Sequence, residues 1–386
     1  MTTPLPTTAD IVIIGGGVMG ASTAYHLALR GQKNVVLLEK EEFFSLGASG
    51  RNAGGIRYQF GTEVNVRLSL KSLPMLHRFP EELGQEIDYR PYGYFMFVTN
   101  ESDKAVFEHN IALQHKLGVM TEWIDGDEVR RRLPMMKLED AMGASFNRKD
   151  GVVDPNSVVM GYINRATQMG VQALTEVEVT SIQVDSNQIK AVETQRGTIS
   201  TPLVVNAAGP WAKLIGAMVD LEIPIEPIRR QMMTTTAIPE LPTDFPFVID
   251  FAQSLYWHRE GDGLLVGMSN KEEKPGFDQN IDQEFELLTL EKAAERMPLL
   301  EKVGLASHWA GLYEVTPDAH PIYGATPIEG FYLVGGFSGH GFMHGPISGL
   351  LMTELILDGA AKTVDVSMLD FARFAEDRLI HEYNVI

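Results

Sequence analysis

Residues 11–20 read Ile-Val-Ile-Ile-Gly-Gly-Gly-Val-Met-Gly, an apolar β-forming run that breaks into glycines close to Met1. The order fits a strand, a tight turn and a helix start. Gly15 would make the turn, Gly17 would let backbone approach a pyrophosphate, and Gly20 would let helix and strand pack closely. The first amides of the helix, helped by its dipole, would hold the phosphate charge. Ile11–Ile14 has the unbroken apolar character of a strand buried on both faces in a parallel sheet. Ala21, Ala24, Leu27 and Ala28 follow at helical spacing before Gly31 stops the helix. Val35–Leu38 is a second buried strand, and it ends in Glu39, 19 positions past Gly20. An acid at that distance accepts hydrogen bonds from an adenosine ribose. This segment specifies a dinucleotide, with NAD and FAD both open.

The remaining composition narrows the class. At 386 residues the chain exceeds one typical core, so two domains are expected. Apolar content of 44% and charged content of 22% suit an ordinary globular protein. A net charge of −19 argues against nucleic-acid partners, which need a basic footprint. No window approaches the roughly 18 apolar residues of a membrane span. Met1–Asp10 lacks the basic region and hydrophobic core of a secretory signal, so a cytoplasmic location is expected. The sequence has no cysteine, which removes disulfides, thiolate metal sites and any cysteinyl cofactor link. No metal is expected.

After Glu39, residues 45–57 form a small-residue loop whose four glycines suggest backbone lying against a ligand. Residues 62–83 read as helix, with Val64, Leu68, Leu73 and Leu76 as buried positions. Tyr92–Val98 reads as strand, 101–118 as helix, and two further helices at 126–132 and 157–169 flank a turn at Asp150–Pro155. Gln172–Thr180 and Gln188–Thr194 read as short strands. Leu203–Trp211 reads as a buried strand ending in small residues. From 222 to 315 the pattern becomes strands, including Arg229–Ala237, Phe247–Asp250, Leu255–His258 and Leu264–Met268, with one helix at 282–296. Gly330–Val334 is again a strand, Gly335–Gly341 a second glycine-rich turn, and 346–358 a helix. The expected fold is α/β plus α+β. A Rossmann-like cofactor domain (1–83, 145–221 and 316–386) carries a discontinuous substrate domain (84–144 and 222–315) built on a mainly antiparallel sheet.

These residues resemble the D-amino-acid-oxidase-like superfamily of flavoproteins, and within it the sarcosine oxidase branch. The resemblance covers essentially the whole length. It rests on Gly15–Gly20 with Glu39, Gly50-Arg51-Asn52 with Ile56-Arg57, Asn206–Trp211, Thr316-Pro317-Asp318 and, most specifically, Gly336–Phe342. Trp309–Tyr313 and Gly341-Phe342-Met343 look closest to β subunits of dye-linked L-proline dehydrogenases and heteromeric sarcosine oxidases. The resemblance implies FAD and a two-electron oxidation of the C–N bond of a small amino or imino acid, such as proline, sarcosine or another N-substituted amino acid. A hydride would pass to flavin N5, since an isoalloxazine carries that chemistry and the protein need only bind and tune it. The implied cofactor set is Gly15, Gly17, Val18, Met19, Gly20, Glu39, Lys40, Ser49, Gly50, Arg51, Asn52, Gly54, Gly55, Val177, Ala208, Gly209, Trp211, Gly311, Gly336, Ser338, Gly339, His340, Gly341, Phe342 and Met343.

Arg57 follows a glycine pair, and its guanidinium fork suits bidentate capture of a substrate carboxylate, as an arginine at the matching place does in similar sarcosine oxidases. Its alternative is a structural arginine. Tyr256 and His258 alternate on one strand and share a face; Tyr313 comes from another strand. Each reads as a pocket lining or as a half-buried sheet residue. His340 lies in the flavin loop as a cofactor contact, and His344 and Met343 line the pocket. The flavin-linking cysteine of monomeric sarcosine oxidases matches Gly311 here, so FAD is expected to be non-covalent. Their oxygen-activating lysine matches Leu265 and their second carboxylate partner matches Met343. A cation-poor flavin site weakens oxygen reduction, which points to a dehydrogenase passing electrons to another acceptor. Similarity to β subunits implies a heteromeric electron-accepting subunit or a homo-oligomer. Two other readings stay open: oxygen-dependent deamination of a primary amine, and a flavin-binding assembly or electron-transfer subunit without turnover.

Overall fold

The computed structural model describes residues 4–384; residues 1–3 of the amino terminus and 385–386 of the last expected cofactor segment lie outside them. The opening run becomes strand β1 (Ile11–Ile14), helix α1 (Val18–Leu29) and strand β2 (Val35–Leu38). All four β1 residues are buried because β1 lies inside a six-stranded sheet. The strand order is Ile322–Ala325, Phe331–Gly335, Val204–Asn206, β1, β2, Gln172–Leu174. Neighbours run parallel except the first pair. Ile11 and Ile13 face helices including α1, while Val12 and Ile14 face a three-stranded sheet of Val179–Asp185, Gln188–Thr194 and Gly197–Ser200, so both faces are buried and alternation disappears from the sequence.

Helix Gly341–Asp358 packs along α1. They touch at glycine: a Cβ on Gly349 would run into the Ser22 backbone and one on Gly345 into Val18, while Gly20 lets α1 close on the Gly15 carbonyl and Leu37. The last helix thus completes the fold begun by the first. Strand β3 (Gly55–Ile56) and helix α2 (Glu63–His77) follow the small-residue loop.

The second sheet has eight strands, in the order Leu305–Val315, Glu226–Thr235, Gly263–Met268, Leu255–Glu260, Phe247–Asp250, Tyr94–Val98, Gly143–Asn147, Glu122–Asp125. It is antiparallel apart from the join between Phe247–Asp250 and Tyr94–Val98. That parallel join brings strands of the two inserts, far apart in sequence, into one sheet.

Four local expectations need correction. Gly143–Asn147 pairs with Tyr94–Val98, so Ser145–Asn147 belong to this sheet and not to the cofactor segment starting at 145. The Asp150–Pro155 turn contains a short strand, Gly151–Val152, that pairs with β3. Gln172–Thr180 is two strands, Gln172–Leu174 and the start of Val179–Asp185, parted by a bend with Glu176 at positive φ. Within Leu203–Trp211 only Val204–Asn206 is strand, and Gly209–Trp211 is a 3-10 turn. Each strand involved is short, and pairing partners distant in sequence decide it.

Candidate functional site

A cleft of about 300 Å³ crosses the carboxyl ends of β1, β2 and Val204–Asn206 and reaches the eight-stranded sheet at Arg230, Met232 and Gly311–Glu314. Carboxyl strand ends are where open parallel sheets bind ligands. At one end Gly17 caps α1 without a side chain, and no acid occupies the first turn. The Val18 amide donates to Ser49 Oγ (2.9 Å) and the Gly16 amide to Glu39 Oε2 (2.8 Å); Glu39 Oε1 accepts from the Glu41 amide (3.0 Å). A helix start with no side-chain cap and no acid in its first turn suits a diphosphate. Beyond it Lys40 lies 4.1 Å from the Trp211 ring centroid, both in the cleft wall. Glycines at 15, 17, 209, 311, 339 and 341 leave the wall bare along its length, which fits an extended dinucleotide with a flat ring.

Of the cofactor set, Gly15, Gly17, Val18, Met19, Glu39, Lys40, Ser49, Arg51, Asn52, Val177, Ala208, Gly209, Trp211, Gly311, Gly339, Gly341 and Phe342 line this cleft. The others lie behind it. Gly20 packs against Gly15; Gly50, Gly54 and Gly55 make room for the Ser45 carbonyl, the Val153 carbonyl and the Tyr94 hydroxyl respectively. Gly336 packs on Thr316, and Ser338 Oγ accepts from the Thr316 amide (3.2 Å). Met343 is buried, and its carbonyl accepts from Ser72 Oγ (2.6 Å). Small residues in such a loop serve tight packing as often as ligand approach. Their spacing does not separate the two.

Arg57, on the far side of the flavin loop, is 6% exposed. Its Nη1 and Nη2 donate to the carbonyls of Gln59 and Asn384, and its guanidinium lies 4.1 Å from the Phe60 ring centroid. No described carboxylate is within ion-pair distance of it. Burial draws the guanidinium below its ordinary pKa, opposed by the fields of Tyr94, Glu382, Asp150 and Tyr313. Contrast Arg373, equally buried, which pairs with Asp318 through Nε–Oδ2 (2.8 Å) and Nη2–Oδ1 (3.0 Å). Arg57 is a buried cation still lacking an anion.

Tyr94, Tyr313, His340 and His344 feel its charge, and Tyr256 and His258 stack on the Phe247 that Tyr94 also meets. Tyr313 packs on Gly339, with Arg230 5.1 Å from its ring centroid. Tyr94 and Tyr256 both stack on Phe247, at 4.1 and 5.7 Å between ring centroids, and His258 does so at 5.0 Å. His258 Nδ1 is bonded to the Arg259 carbonyl (2.8 Å), Nε2 is unpartnered, and burial pushes its pKa down to about 4. His340 is buried with both ring nitrogens unpartnered, and burial, with His344 next, holds it well below its usual range. His344 shares a hydrogen bond with Ser69 (2.9 Å) and is pushed down to about 3 by burial. These histidines are therefore neutral near pH 7. Asp150 braces the Arg57 strand: its carboxylate accepts from the Tyr58 amide and Gln59 Nε2, both at 2.8 Å, and burial lifts it to about 7.

Arg57, Tyr256, His258 and His340 do not line the cleft itself, whereas Tyr313 does, joining the two regions. The expected cation-poor cleft is corrected, because Arg51 and Arg230 both border it. Arg51 is tied to the carbonyls of Leu46 (3.0 Å) and Ala310 (2.8 Å). Arg230 bonds the Arg229 carbonyl (2.9 Å), leaving Nε unpartnered. Its charge was hidden because Arg230 reaches the cleft from a strand distant in sequence from the glycine loops. Gly16, Tyr94 and Glu314 were also missed. The adjacency of Gly16 to Gly15 was the available signal for it; Tyr94 and Glu314 looked like ordinary strand residues. Among the described residues no group of His, Asp or Glu is arranged to hold a metal ion.

A glycine-walled nucleotide cleft at the carboxyl ends of a parallel sheet defines a dinucleotide-dependent oxidoreductase architecture. The chain belongs to the FAD-dependent oxidoreductase (DAO) family, whose model matches residues 10–355, and FAD is its cofactor. It is similar to human mitochondrial sarcosine dehydrogenase, 31% identical over 96% of this chain and 42% of that enzyme. It thus spans less than half the length of that relative. The solved L-proline dehydrogenase from P. horikoshii is 34% identical, with a TM-score of 0.90 over 97% of this chain and all of that one. Glycine oxidase from Geobacillus kaustophilus is 26% identical, with a TM-score of 0.85 over 95% and 99% of the two chains.

Proposed function

We propose that this chain oxidises the C–N bond of a small amino or imino acid, with proline, sarcosine and other N-substituted amino acids as the substrate class. The single observation that carries this reading is Arg57, a buried guanidinium bonded only to carbonyls. A buried charge without a counter-ion is costly, and a substrate carboxylate supplies that counter-ion in bidentate form. FAD, when bound, supplies a two-electron acceptor for the carbon next to nitrogen. Held by Arg57, the substrate would present its amine to Tyr94, Tyr256 and Tyr313 and to the neutral imidazole of His340. None of these groups must form a covalent bond to it. The relatives named above act on sarcosine, proline and glycine, all small amino acids, which supports the class.

Electrons then pass to an acceptor other than oxygen, a partner subunit or a dye. The support is that Leu265 and Met343 are buried apolar side chains where oxidase-type cations would stand. The test is anaerobic addition of an amino-acid panel while the long-wavelength flavin band is followed, then admission of air. Bleaching by a secondary amino acid with slow reoxidation is the expected result. Bleaching by glycine alone with rapid reoxidation would replace this reading by the primary-amine oxidase. No bleaching by any member would leave a flavin-binding subunit without turnover.

A further inference from the structure

Glu314 occupies the strand Leu305–Val315 one residue after Tyr313, so the two side chains point to opposite faces. Both reach the cleft. Glu314 is 9% exposed, and none of the described cations forms an ion pair with it. Its Oε1 accepts from the Phe337 amide (3.4 Å), its carboxylate is also held by the Gly336 amide, and its carbonyl accepts from the Ser338 amide (3.0 Å). The residue therefore anchors the flavin loop at three successive amides. Oε2 has no partner. A Cβ built on Gly209 or on Gly335 would lie 3.4 Å from that oxygen. These glycines follow Val204–Asn206 and end Phe331–Gly335, adjacent strands of the cofactor sheet. Oε2 thus sits over their carboxyl ends, between the diphosphate end at Gly15–Val18 and the ring end at Gly311–Tyr313.

A buried oxygen with no donor is expensive unless a ligand brings one. A diphosphate would repel it and the face of a flavin ring offers it nothing. The ribityl chain between those parts carries three hydroxyl donors, from the general chemistry of FAD. We propose that Glu314 is a cofactor-binding residue whose free Oε2 accepts a hydrogen bond from a ribityl hydroxyl while Oε1 holds the flavin loop in place. Burial also lifts the carboxyl to about 7, as follows when no cation compensates it.

The test uses full-length protein stripped of flavin, with affinities read from flavin fluorescence. FAD and three analogues, each lacking one ribityl hydroxyl, are titrated into wild type, Glu314→Gln and Glu314→Ala. Glu314→Ala is expected to bind FAD at least tenfold more weakly. One analogue should bind wild type about tenfold more weakly than FAD does, yet lose nothing further on Glu314→Ala. That non-additivity marks a direct contact. If all three analogues match FAD on wild type, or if their losses simply add to the alanine loss, Oε2 makes no such contact and the proposal falls. If Glu314→Ala does not fold, Glu314→Gln carries the same cycle. A wild-type protein that binds neither FAD nor any analogue would instead overturn the assignment of the cleft to FAD.

Discussion

Arg57 and Asp150 are buried ionisable groups bonded to one short segment, Arg57 through the Gln59 carbonyl and Asp150 through the Tyr58 amide and the Gln59 side chain. On the proposed reading Arg57 neutralises the substrate carboxylate, and truncating one member of a buried charge pair costs about 2–5 kcal/mol. Arg57→Ala is therefore expected to raise KM by about one and a half to three and a half orders of magnitude, measured with a dye acceptor, with FAD content unchanged. The flavin-free Arg57→Met protein should melt no earlier than wild type, because the wild-type cation is buried without an anion. Asp150 acts in the opposite sense. Its folded-state carboxyl titrates at about 7, above the ordinary aspartate value of about 3.9. The proton is held more tightly in the folded state, so stability from this group is full below about pH 4 and is lost as pH rises towards 7. Asp150→Asn should flatten the melting temperature between those values and leave the protein more stable than wild type at pH 8. Gln59 Oε1, now unpartnered, can accept from the new amide. Parallel melting curves for the two proteins would show that Asp150 does not titrate in this range.

At the scale of elements, the first three were legible because each announces itself within a few residues. β1 is uniformly apolar, α1 opens on glycine, and β2 ends on an acid. The strands Gly143–Asn147 and Glu122–Asp125 were not legible. Gly-Ala-Ser-Phe-Asn and Glu-Trp-Ile-Asp lack a β-branched run, and they become the last two strands of the sheet only by pairing with each other and with Tyr94–Val98. The site divides the same way. Gly15, Glu39 and Gly339 could be found from spacing, whereas Arg230, Tyr94 and Glu314 are brought in by tertiary pairing. A packing glycine offers the sharpest element-level test. Gly20→Val would drive a side chain into the Gly15 carbonyl and Leu37, separating α1 from β1. The expected product folds poorly and is isolated without flavin, as its absorbance spectrum would show. A yellow, wild-type-like Gly20→Val protein would mean that α1 can shift without losing the cofactor.

For the whole molecule, the segment near residue 380 ties distant parts together. Arg373 pairs with Asp318, and Glu382 accepts from the amides of Gly61 (2.8 Å) and Thr62 (3.1 Å) and from Asn65 Nδ2 (3.0 Å). Two residues later the Asn384 carbonyl meets Arg57. Breaking a buried ion pair from one side costs about 3–5 kcal/mol, so Arg373→Met should lower denaturant stability by that order. Glu382→Ala should raise KM while sparing flavin content, because it frees the segment that orients Arg57 but touches no part of the cleft. Equal loss of flavin in both variants would show that the segment supports the fold as a whole.

The contact between α1 and the helix Gly341–Asp358 has a consequence in time. α1 is buried along nearly its whole length, yet the helix covering it is encoded some three hundred residues later. At roughly 5–20 residues per second of synthesis, about fifteen seconds to a minute pass before that cover exists. During this interval the nascent chain displays an apolar helix and one incomplete edge of its central sheet. Ribosome-associated chaperones, and the supply of FAD at the moment of release, therefore bear on how much active protein a cell obtains.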